Sequence, residues 1–185
     1  MAPAETAAED SLRYPIGRYR APESITSGNR IAWIEEIEAL PRNLRRAVAG
    51  LNEEQLETRY RPGGWTVRQL VHHIADSHLN SYSRFRWAVT EESAAIKTYD
   101  EAAWAELADA KTAPIELSLA LLEPLHARWA LLLRSFSDAE FKRAMRHPEW
   151  GDVPVEWLLG QYAWHSRHHV AHINRLRERQ GWDTG

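Results

Sequence analysis

Cysteine is absent from the 185 residues. That excludes disulfides, thiolate nucleophiles and every sulfur-ligated metal or iron–sulfur site, so any bound metal must use nitrogen or oxygen ligands. A basic surplus is also missing: 23 Lys and Arg stand against 26 Asp and Glu, a formal net charge of -3. Duplex nucleic-acid binders carry positive charge to displace counterions, so nucleic acid is not an expected partner. No uncharged apolar run approaches the ~20 residues needed to cross a bilayer, and no membrane association is expected. Residues Met1 to Asp10 lack the basic start and apolar stretch of a secretory signal, which makes a cytoplasmic location the expectation. There is no phosphate loop, dinucleotide fingerprint or Gly-x-Ser-x-Gly elbow, which argues against nucleotide and serine-hydrolase chemistry.

What is present reads as one domain. Hydrophobic residues make up 44% and charged residues 26%, an ordinary composition for a soluble fold. Nine tryptophans imply large packing contributions or an aromatic-lined cleft. Residues 1–13 read as a flexible tail and 14–185 as a single domain. Tyr14 to Tyr19, with Pro15 and Gly17 among aromatics, reads as an extended arm laid on the body.

The remainder has helical periodicity. Ile31, Ile34, Ile37, Leu40, Leu44 and Val48 recur at spacings of three and four in a helix from about Ser27 to Gly50, which Pro41 should kink or break. Thr66 and Gln69 form a capping box for a helix to about Thr90, with Val67, Leu70, Val71, Ile74, Tyr82, Phe85 and Val89 on one stripe. A third long helix spans about Pro114 to Phe136, with Leu119, Leu122, Leu125, Trp129 and Leu132 inward. His147 to Val153, with Pro148 and Gly151, reads as a loop. A last helix runs from near Pro154 to Gln180, where Gly181 stops it. Four long helices with short ones between them and no alternating strand predict an all-α, four-helix bundle.

The nine histidines are unevenly spread. His165, His168, His169 and His172 crowd the last helix, and His72, His73 and His78 lie on the second long one. Histidines four apart on a helix share a face and can ligate one ion together. At about 100° per residue, His165 and His169 fall on the stripe of Leu158, Tyr162, Ile173 and Leu176, whereas His168 points away. On the second helix periodicity ranks His78 above His73 as an inward residue, and the choice of ligand stays open. His78 lies in the centre of the apolar stripe, where a histidine is commonly a satisfied core residue. His73 lies at its flank and His72 points outward. Asp76 shares the face of His73, where a carboxylate could orient an imidazole or act as a base.

The stretch Gly63-Gly64-Trp65-Thr66-Val67-Arg68-Gln69-Leu70-Val71-His72-His73-Ile74-Ala75-Asp76-Ser77-His78 resembles the YfiT-type branch of the DinB-like four-helix metalloproteins. So does Trp164-His165-Ser166-Arg167-His168-His169-Val170-Ala171-His172-Ile173, as do Tyr14 to Gly17 and Phe85 to Trp104. Arg167 departs from the pattern, standing where a histidine is expected. The resemblance implies a DinB-like bundle, a homodimer, and one divalent metal, zinc or nickel, held by His73, His165 and His169.

 The dimer, like the choice of His73 over His78, is an implication of the resemblance alone.

Three neutral imidazoles leave a divalent ion at full charge with an open position, at which water becomes acidic. The resemblance therefore implies a metal-dependent hydrolase acting on a small-molecule substrate. A thiol S-transferase using an external low-molecular-weight thiol is a second expectation, because a metal also acidifies a bound thiol. A metal-stabilised, non-catalytic bundle is a third, and would be favoured by a fourth protein ligand such as His168 or His172.

Overall fold

Side-chain caps start several of the helices. In the computed structural model, which describes residues 7–182, Thr26, Asn52, Thr66 and Ser137 each accept a hydrogen bond from the backbone N–H three residues on, and the side chain there answers the cap's own N–H. The helices are α1 (Ala7–Arg13), α2 (Ser27–Val48), α3 (Glu53–Leu56), α4 (Val67–Thr90), α5 (Glu101–Ala105), α6 (Ala108–Thr112), α7 (Glu116–Arg134), α8 (Asp138–Lys142) and α9 (Val155–Gln180). Gly181, at φ 66°, closes α9 in the left-handed region that glycine enters freely. Pro41 does not break α2, which continues through it with Pro41 itself buried.

The four long helices α2, α4, α7 and α9 form the bundle. α2 packs against α7 and α9, and α4 packs against the same two. Consecutive long helices α2 and α4 therefore sit diagonally. Two apolar cores result. One joins Ile37, Phe85, Trp129 and Leu158, and the other joins Leu44, Leu70, Leu122 and Ile173. Between them lies a polar layer: His78 between Ile74 and Phe85 on α4, His126 between Leu122 and Trp129 on α7, and His165 and His169 between Tyr162 and Ile173 on α9.

Several expectations need correction. Ile31 is exposed, and Leu133 replaces Leu132 as the buried residue near the end of α7. The expected loop at His147 to Val153 belongs to a hairpin, β1 (Ala144–His147) paired antiparallel with β2 (Gly151–Pro154). Pro148 lies in the turn, where its missing N–H breaks no ladder bond, and Gly151 takes φ 69°. The His147 ring closes the turn by accepting from the N–H groups of Glu149 and Trp150. Four-residue strands are too short to show alternation, but they add buried Met145 and Val153 to the first core.

Residues 1–6 of the expected tail lie outside the described residues, and Ala7–Arg13 form α1. The arm lies along α9. The indole of Trp164 donates to the Gly17 carbonyl at 3.0 Å, and the Tyr19 hydroxyl donates to the Trp157 carbonyl at 3.3 Å.

Candidate metal centre

α4 and α9 bring His73, His165 and His169 together: one ring nitrogen of each lies within 4.8 Å of the others. The ring centroids are 5.6 Å apart for His73 and His165, 5.0 Å for His73 and His169, and 4.3 Å for His165 and His169. Trp65, at the approach to α4, lies 4.6 Å from the His73 ring and walls that side. The three rings are neutral. Burial, with repulsion between the histidines adding to it, holds His73 down to about 4 and the other two well below the usual range.

These residues fit a divalent ion. His165 Nε2 and His169 Nε2 face each other at 3.0 Å, and two facing nitrogens share at most one proton. His169 Nδ1 is buried with no hydrogen-bond partner among the described residues. A set of converging, uncharged nitrogen donors is the chemistry that zinc and nickel accept.

A second cluster joins His168, His169 and His172, again within 4.8 Å. This corrects the expectation that His168 points away, since it is buried. Periodicity assumed solvent on that side of α9, but the arm and a loop cover it: the Tyr14 ring lies 5.9 Å from His168 and Tyr60 lies 4.3 Å from His172. His72 likewise is buried instead of outward, with one ring nitrogen 3.1 Å from the Ala113 carbonyl and the other 2.8 Å from the Ser118 hydroxyl. The segment around α6 covers this face of α4.

His78 is fully buried, as its place on the stripe implied. Its ring nitrogens lie 3.1 Å from His126 Nε2 and 3.0 Å from His165 Nδ1. His126 was not singled out by the motifs. The available signal was its spacing, because Leu119, Leu122, His126 and Trp129 recur at three and four on α7.

The model of the DinB superfamily matches residues 36–173. This chain belongs to the DinB superfamily. Within it, YfiT of Bacillus subtilis (strain 168) is 52% identical over 173 residues, covering 93% of this chain and 97% of that protein. A relative from Geobacillus kaustophilus (strain HTA426) is 50% identical over 175 residues, covering 94% of this chain and 98% of its own. Both bear the name "Putative metal-dependent hydrolase". A solved structure of YfiT, described as a probable metal-dependent hydrolase with an unusual four-helix bundle topology, matches with a TM-score of 0.91 at 52% identity, covering 94% of this chain and 99% of that one.

In this DinB-superfamily chain, His165 opens on a cleft of about 320 Å³ whose wall includes Ser77, Arg84, Tyr99, Glu101, Gln161 and Tyr162. Arg84 is held by two acceptors, the Tyr162 hydroxyl at 3.2 Å and the Lys97 carbonyl at 3.0 Å. A larger cavity of about 720 Å³ between α2 and α9 includes none of the histidines, so the chemistry points to the smaller cleft. Arg167 lies at the α2 side of α9, paired with Glu36 at 3.1 Å. Asp76 has no hydrogen bond to His73 among the described residues, which removes it as the partner orienting that ring. Burial first, and Asp109 second, push its carboxyl up to about 6, and it acts electrostatically on Tyr99 in the cleft wall.

Proposed function

We propose that this chain is a metal-dependent hydrolase of a small molecule, with one divalent ion held by His73, His165 and His169. The observation that carries the reading is the convergence of three neutral imidazoles from α4 and α9 where His165 meets the cleft. The names of the 52% and 50% identical relatives support the reaction class. Zinc is the proposed metal, and nickel suits the same nitrogen set. When bound, the ion supplies Lewis-acid activation of water or of a substrate carbonyl. His73, His165 and His169 offer lone pairs because burial keeps them unprotonated. Arg84 presents a fixed positive charge to an acidic or carbonyl group of the substrate, and the cleft volume suits a small molecule. Asp76, with its pKa near neutrality, is the proposed proton acceptor. The proposed assembly is a cytoplasmic homodimer. No helix among the described residues is long and apolar enough to cross a membrane.

The test is metal content and turnover in protein purified without a histidine tag. Wild type should retain about one divalent ion per chain. Alanine at 73, 165 or 169 should weaken binding by orders of magnitude, whereas His168→Ala should retain the ion. A panel of activated esters and amides should then show metal-dependent hydrolysis. Turnover only with an added thiol, or wild type that takes up no metal, would overturn the proposal.

A further inference from the structure

The polar layer contains a directed run of hydrogen bonds that ends on a proposed ligand. His126 Nδ1 lies 2.6 Å from the Ile37 carbonyl oxygen, His126 Nε2 lies 3.1 Å from His78 Nδ1, and His78 Nε2 lies 3.0 Å from His165 Nδ1. The carbonyl at its start is free for a local reason. In a helix the carbonyl of residue 37 is bonded by the N–H of residue 41, and residue 41 is proline, which has none.

That carbonyl sets the direction of the whole run. A carbonyl only accepts, so His126 Nδ1 carries the hydrogen. A neutral imidazole has one N–H, so His126 Nε2 accepts and His78 Nδ1 donates. His78 Nε2 then accepts, and His165 Nδ1 donates. His165 Nε2 is left with its lone pair, and it is this nitrogen that faces His169. We infer that His126 and His78 are positioning residues which, anchored on the Ile37 carbonyl that Pro41 leaves open, lock His165 in its Nδ1–H tautomer and so make Nε2 the ligand atom. The inference rests on the ligand set proposed above.

The surroundings hold the run still. His126 and His78 are fully buried. Their rings stack at 4.9 Å and 21°, while Trp129 and Tyr162 meet the His78 ring edge-on at 5.8 Å and 5.3 Å. Full burial beside Trp129 suits the neutral, one-hydrogen form of both rings. Outer partners of a metal-bound imidazole fix its orientation and basicity, and losing one typically costs ~10–100-fold in metal affinity.

The test has two parts. Nitrogen-15 spectra of the histidine rings in the wild-type protein, metal-free and with zinc alone, should show His126, His78 and His165 all as Nδ1–H tautomers. A His165 that carries its hydrogen on Nε2 overturns the inference. Zinc affinity is then measured by competition with a chromophoric chelator. His78→Leu should weaken zinc binding ~10–100-fold. His78→Gln should recover most of that loss, because its carboxamide offers an acceptor and a donor side by side. If His165→Ala abolishes zinc binding while His78→Leu leaves it unchanged, the ligand set stands and the relay fails. If His165→Ala keeps full affinity, the ligand set itself falls. Should the leucine variant not fold, the wild-type spectra still decide.

Discussion

Mild acid should unfold the metal-free protein before most of its carboxylates titrate. His126 titrates at about 4 in the folded chain against an ordinary 6.5, because burial disfavours the imidazolium more than the Ile37 carbonyl favours it. Between those values the unfolded chain carries a proton that the folded chain does not. Stability is therefore full above the unfolded value and is lost as pH falls toward the folded one. Each such proton costs about 1.36 kcal/mol per pH unit, so about 2.5 pH units remove about 3 kcal/mol for His126 alone. His73, also lowered to about 4 by burial, doubles that to about 6 kcal/mol, a large part of the ~5–15 kcal/mol that holds a domain together. Urea unfolding followed by helical circular dichroism, with a chelator present, measures this at a series of pH values. The expected slope between about pH 6 and pH 5 is roughly two protons or more, on the order of 3 kcal/mol per pH unit. A slope below one proton would refute the claim that these rings are buried and neutral.

Two further outcomes are expected. Gly160→Ala should destabilise by about 1–3 kcal/mol in the same unfolding assay, since the new Cβ would stand 2.3 Å from the Tyr19 hydroxyl and 2.9 Å from the Trp33 ring. Asp76→Asn should keep zinc content but lower turnover of the best ester, and remove the acid limb near pH 6 from the rate profile; an unchanged profile would dismiss Asp76 as the base.

Much of the fold was legible because local chemistry decides it. Thr66 with Gln69 is a capping box in the structure as in the sequence, and Gly181 stops the last helix. The inward pairing of His165 and His169 follows from helical spacing alone. The choice of His73 beside them did not. Periodicity favoured His78, and the two occupy different positions in one polar layer, His73 beside the His165/His169 pair and His78 behind it. Burial of His72 and His168 was illegible for a different reason. A helical wheel assumes one covered face, whereas the α6 segment and the arm cover second faces of α4 and α9. Pro41 read as a breaker because the rule concerns an isolated helix, while α2 is packed between two partners.

The diagonal placement of α2 and α4 has a consequence for how the chain reaches this state. Helices that are neighbours in sequence usually close into a hairpin, a local unit that forms early. Here α2 packs mainly against α7 and α9, so both cores wait for distant segments to arrive. On a ribosome, the N-terminal helix pair would emerge with its apolar stripes uncovered until the C-terminal helix follows. High sequence separation of contacts slows folding, and it makes the bundle cooperative across its whole length. Shortening α9 from its C-terminal end would strip Ile173 and Leu176 from the second core, so truncation there should expose α2 and α4 together instead of trimming one edge of the molecule.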